Sequence, residues 1–119
     1  MSHYHEPATE LPEEARNFSR ALNSLKEEIE AIDWYHQRVV LTQDATLAAA
    51  LAHNRDEEIE HAAMMIEWLR RNMPGWDEEL RTYLFTEGDL TAMEEGEEEN
   101  KDNDAESPDS SSGLGIGKL

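Results

Sequence analysis

The chain has no cysteine, few basic residues and no long apolar run. Without cysteine, neither disulfides nor thiolate metal sites can form. Ten Lys and Arg stand against 28 Asp and Glu, for a formal net charge of −18. Such a balance repels phosphate backbones and argues against nucleic acid as a partner; it attracts cations instead. No stretch approaches the length of a membrane span, and the opening "MSHYHEPATE" lacks the apolar segment of a secretion signal. A cytosolic protein with no membrane partner is the expectation. No alternating strand pattern is seen either, so the class is all-α.

What is present is patterned. Residues 1–11 read as an irregular N-terminal arm. Pro12, Glu13 and Glu14 suit the first turn of a helix. Phe18, Leu22, Leu25, Ile29, Ile32, His36 and Val39 then recur at spacings of four and three, beside a second row through Ala21, Glu28 and Tyr35. They predict a long helix over about 12–41. "TQDAT" breaks it. A second helix, about 45–72, carries the stripe Leu47, Leu51, Asn54, Glu58, His61, Met65 and Trp68, and "NMPG" ends it. A shorter helix over about 76–86 carries Trp76, Leu80, Tyr83 and Leu84, with Gly88 as its stop.

Hydrophobic residues make up 38% of the chain, which is lean for a single packed core. Residues 1–93 hold nineteen acids against eight bases, a balance of −11; residues 94–119 hold nine against two, a balance of −7. Residues 12–93 read as the helical domain. The acidic, Ser-rich stretch 94–112 is expected to be a disordered linker, because it cannot bury enough surface to offset its ordering entropy. It leads to an apolar, glycine-laced end, "GLGIGKL" at 113–119, which suits a docking peptide on a tether.

The stripes contain an anomaly. Glu58 lies between Leu51 and Met65 on the face that should be buried, and Glu28 lies between Leu25 and Ile32. A buried carboxylate must be neutralised, paired or bound to a metal. Glu58-x-x-His61 puts carboxylate and imidazole on one helical face, where they can share an ion. The motif alone is weak, since about one is expected by chance in a chain this rich in Glu. Two other accounts stay open at this level: arginines pair with the two acids at the margin of a helical interface, or the register is off by one. His61 could equally be a satisfied core histidine.

Four-helix di-iron carboxylate bundles use one Glu from each of two helices and Glu-x-x-His from each of the other two. This chain has one helix of each kind. It therefore holds half a site and half a bundle, and a two-fold dimer would complete both. Two chains would bring four carboxylates, matching the charge of two ferrous ions. Carboxylate with imidazole suits iron or manganese, and zinc would also bind. Glu27, Glu30 and Trp34 cluster on another side of the first helix. They form either a solvated face or a site that collects cations, such as calcium, outside the buried one. Tyr35 is either core or a hydroxyl that orders a ligand. His36 has no assigned role and reads as a core or interface histidine.

The strings "HEPATEL", "LKEEIEAIDWYHQRV", "LAHNRDEEIEHAAMMIEWLRR" and "LRTYLFTEG" closely resemble the encapsulated ferritins over residues 5–88. These are small ferritin-like proteins packaged in encapsulin shells. The resemblance implies a ferritin-like antiparallel two-helix hairpin plus a shorter C-terminal helix, which completes a four-helix bundle by dimerisation, and a ring of five dimers. It implies a ferroxidase that oxidises Fe(II) to Fe(III) at a di-iron centre, with mineral stored by the shell. Under it, Glu28, Glu58 and His61 are the ferroxidase ligands and Tyr35 supports them. Glu27 and Glu30 are outer acids linked to metal uptake, with Trp34 beside them. Residues 113–119 are the shell-targeting peptide, and the location is an encapsulin nanocompartment in a bacterial or archaeal cytoplasm. Two rival readings are a cargo protein that binds divalent metal without catalysis and a peroxide-reducing di-iron relative.

Overall fold

The computed structural model of the chain describes residues 4–105, with only the backbone of 101–105. Among the described residues all regular structure is helical: a 3₁₀ turn at Ala8–Glu10, then α1 (Glu13–Leu41), α2 (Ala45–Asn72), α3 (Trp76–Tyr83) and α4 (Leu90–Ala105). They resolve into two compact units that divide between Leu69 and Arg70. α2 runs unbroken across the division, inside the 12–93 stretch that the sequence groups as one domain.

In the first unit, Pro12 occupies the N-cap of α1, in extended backbone, and Glu13 and Glu14 face the positive helix end. The arm is tied back by Arg16, whose Nε donates to the Ala8 carbonyl at 3.0 Å. With 29 residues, α1 spans roughly 44 Å. Thr42 ends it by returning its N–H to the Arg38 carbonyl. Two residues later Asp44 starts α2, its Oδ1 accepting the Leu47 N–H at 2.9 Å. This short connection forces a hairpin.

Three cross-helix pairs show that the hairpin is antiparallel. Phe18 meets Trp68 edge to face with ring centres 6.3 Å apart, Glu28 meets His61, and His36 meets Arg55. The numbers rise along α1 and fall along α2. Ala21 and Leu25 of α1 and Ala62 and Leu69 of α2 are buried. Small residues on both helices allow close approach. The seam is narrow, however. Leu22, Ile29, Ile59 and Met64 stay exposed, at 37, 54, 48 and 62%. Fully covering one such side chain contributes about 1.5–3 kcal/mol, and a two-helix seam cannot supply that cover.

In the second unit, α3 follows a turn in which Gly75 sits at φ 103°, where a side chain would be strained. Asp77, Glu78 and Glu79 occupy the first turn of α3. Asp77 also bridges two guanidiniums, Arg70 at 2.6 Å and Arg81 at 2.9 Å. These hydrogen bonds hold its carboxyl below the usual range.

α3 stops at Tyr83, short of the expected end near residue 86. Leu84 turns extended at ψ 143°, and Phe85 takes φ 60°. Gly88, at φ 99°, belongs to the turn before the next helix and does not stop α3.

α4 is a departure from expectation. The acidic stretch read as disordered from Glu94 is helical through 94–105. Asp89 caps it, accepting the Thr91 N–H at 3.0 Å and the Thr91 hydroxyl at 2.7 Å. Glu and Lys are good helix formers, and α4 packs on α3 with Met93 and Glu97 half-buried one turn apart. The remainder of the expected linker and the 113–119 docking peptide lie outside the described residues.

Candidate metal centre

The antiparallel register brings Glu28 of α1 level with Glu58 and His61 of α2. His61 Nδ1 lies 3.6 Å from a Glu58 oxygen and 3.8 Å from a Glu28 oxygen. Both distances are longer than a good hydrogen bond. They are close to the ~3.0–3.4 Å that separates neighbouring donor atoms around a small divalent ion with bonds near 2.1 Å. The three donor atoms fall within 4.8 Å of one another. Glu28 and Glu58 are about three-quarters covered, and the His61 side chain is 45% exposed. The group is thus seated between the helices and open on the imidazole side.

The rival accounts from the sequence do not hold within this hairpin. Among the described residues, the ion-pair partner of both Glu28 and Glu58 is His61, and no arginine meets either acid. The register is also right, since both carboxylates face the opposing helix. Two carboxylates and one imidazole from a single chain supply three donors, which is compatible with metal binding.

The other sequence candidates lie apart from this trio. Glu27 and Glu30 are exposed, and among the described residues they join no third ligand within the chain. Trp34, 51% exposed, lines a shallow recess with Gln37 and Arg38. Tyr35 is half-buried, with the Arg38 guanidinium 5.4 Å above its ring. Seven residues, about 10 Å of helix, separate it from Glu28. His36 is exposed within the chain, which removes the core half of its core-or-interface reading and leaves the interface half open, and it bonds to Arg55.

A second group went unnoticed in the sequence. Glu78 and Glu79 of α3 and Glu97 of α4 bring three carboxylates within 4.8 Å, all half-buried. Beside them, the Tyr83 hydroxyl is pushed up from its ordinary value, first by burial and then by the charges of Glu97, Glu94 and Glu79. No periodic stripe announces this group. Its one sequence signal is a pair of adjacent glutamates in the first turn of a helix. Among the described residues no helix is long and apolar enough to cross a membrane.

The fold and the trio define an all-helical protein of the ferritin-like class with a carboxylate–histidine group between its two long helices. The EncFtn-like family matches residues 3–87. The chain is 61% identical over 119 residues to a ferritin-like protein of Thermotoga maritima, covering 98% of this chain and 96% of that one. It is 54% identical over 120 residues to an encapsulated ferritin-like protein of Rhodospirillum rubrum, covering 97% and 86%. Among solved structures, protein ne0167 from Nitrosomonas europaea superposes with a TM-score of 0.72 at 54% identity, covering 75% of this chain and 98% of that one. The chain belongs to the EncFtn-like family.

Proposed function

We propose that the protein is a ferroxidase that works as a two-fold dimer. Two copies of Glu28, Glu58 and His61 hold a pair of ferrous ions across the dimer interface. Each ion gives up one electron to dioxygen or peroxide and leaves as Fe(III) for mineral storage inside an encapsulin shell. The observation that carries this reading is the trio itself: two carboxylates and an imidazole at ion-binding spacing, unclaimed by any arginine.

Three donors per chain leave a small ion under-coordinated, and the group is open on the His61 side. A second copy supplies three more donors and completes the set of four carboxylates and two imidazoles. It also covers apolar side chains that the hairpin leaves in water, among them Leu22, Ile29 and Ile59. Four carboxylates offset the +4 of two ferrous ions. Oxidation leaves +2 in excess, which favours oxide or hydroxide bridging and later release of the product.

Within this reading Tyr35 supports a ligand from across the interface. Glu27 and Glu30, exposed on α1 beside Trp34, gather cations for the buried centre; zinc, manganese and calcium fit the same oxygen donors. Dimers close into a ring of five, and residues 113–119 dock the assembly on the shell wall in a bacterial or archaeal cytoplasm. The name of the Rhodospirillum rubrum relative, encapsulated ferritin-like protein, supports the packaging.

Stopped-flow oxidation of Fe(II) tests the reading. Replacing Glu28, Glu58 or His61 by Ala should each abolish the fast phase, a loss of about 100-fold or more. Metal bound with no rate enhancement in the wild type would instead support a non-catalytic cargo protein.

A further inference from the structure

We propose that His36 is a positioning residue for the metal centre: it holds the Arg55 guanidinium away from Glu58 and so keeps that carboxylate free for an ion. The proposal rests on the site reading above. Arg55 stands three residues before Glu58 on α2. Side chains at that spacing are neighbours on a helix surface, and a guanidinium beside a carboxylate ordinarily pairs with it. A half-buried Arg one turn from a half-buried Glu is therefore poised to block the site.

The structure shows a different arrangement. Arg55 Nη1 reaches across the hairpin to His36 Nδ1 at 3.1 Å. Its Nε and Nη2 both lie 3.1 Å from Asp56 Oδ1. Among the described residues Arg55 makes no ion pair with Glu58, whose ion-pair partner is His61.

The chemistry of the contact fixes its sense. A guanidinium can only donate, so Nδ1 of His36 must accept. Asp56 precedes Glu58 by only two residues and sits on the exposed side of α2. It can hold one edge of the guanidinium but cannot draw it toward α1. His36 is the acceptor on the opposing helix, and without it Nη1 loses that anchor while Asp56 keeps the other edge of the guanidinium. Glu58, one turn along α2, is then open to pairing with Nη1, and an ion would have to displace a cation before binding.

Titration of the full-length protein with Mn(II) tests the assignment, with bound metal read by calorimetry and free metal by electron paramagnetic resonance. His36→Ala should weaken Mn(II) binding about three- to tenfold. His36→Gln, whose amide oxygen can accept from Arg55, should bind within about twofold of wild type. The double variant His36→Ala/Arg55→Ala should regain wild-type affinity, because the competing cation is gone. A merely structural role for His36 would not be rescued by a second truncation. His36→Ala binding as tightly as wild type overturns the proposal, as does a double variant as weak as the single one. Mn(II) binding that survives Glu58→Ala would overturn the site reading itself, and this proposal with it.

Discussion

Among the described residues, two groups of three metal-capable side chains sit one in each unit of this chain, and they differ in kind. The first joins Glu28, Glu58 and His61; the second joins Glu78, Glu79 and Glu97. The first contains an imidazole, is set between two long helices, and lies on stripes that are mostly apolar. The second is carboxylate only and sits where a short helix meets an acidic one. In the first, the acids interrupt a hydrophobic pattern and need a reason to be there. In the second, two of the three acids fill a helix start where the dipole already favours them, and the third lies on a helix rich in acids throughout. Proximity of three acids is therefore weak evidence by itself. An acid placed against the pattern of its own helix is stronger.

That contrast can be broken experimentally. The largest expected effect is on iron oxidation. Replacing Glu78, Glu79 and Glu97 together by Gln should change the fast Fe(II) oxidation rate by less than about twofold, against the loss of about 100-fold for any member of the first group. Comparable losses from both groups would erase the distinction.

Tyr35→Phe should slow oxidation by about tenfold while metal binding is retained, since in the proposed function the hydroxyl orders a ligand without being one. An unchanged rate would return Tyr35 to a packing role.

In the second unit, Asp77→Asn should lower the melting temperature by a few degrees at neutral pH, because it removes the carboxylate shared by Arg70 and Arg81. The folded pKa is depressed below 3.8. Its stabilisation is thus fully present above 3.8 and is lost as pH falls through the folded value. The gap between wild type and variant should close below that point. A gap that persists at low pH would trace the effect to packing.

The smallest effect is spectroscopic. Glu97→Gln should bring the Tyr83 hydroxyl part of the way back toward 10.0, as followed by tyrosinate absorbance. The return is only partial, because burial is the larger cause.

Much of the fold was legible in the sequence. The 3.6-residue stripes placed α1 and α2 to within a residue, since a long amphipathic pattern has few alternative solutions. Pro12 marked the start of α1 by its own chemistry, and the polar break "TQDAT" marked the start of α2, where Asp44 supplies the cap. The short helix was overextended because Leu84 and Phe85 look helical by composition, while their backbone leaves the helix. α4 was missed because its apolar content is too low to form a stripe. Its order comes from the Asp89 cap, the helix propensity of Glu, and Met93 and Glu97 against α3.

For the candidate site, the sequence determined which residues were out of place: Glu28, Glu58 and His61 on faces that should be apolar. It determined this because helical periodicity assigns every position a face. It could not determine how far α1 slides along α2, since either helix presents the same stripe over many turns. That offset is a property of tertiary packing, seen where Phe18 meets Trp68 and where Ala21, Leu25, Ala62 and Leu69 are buried. The same offset set His36 opposite Arg55 and left Glu58 facing His61 and Glu28 without a guanidinium between them.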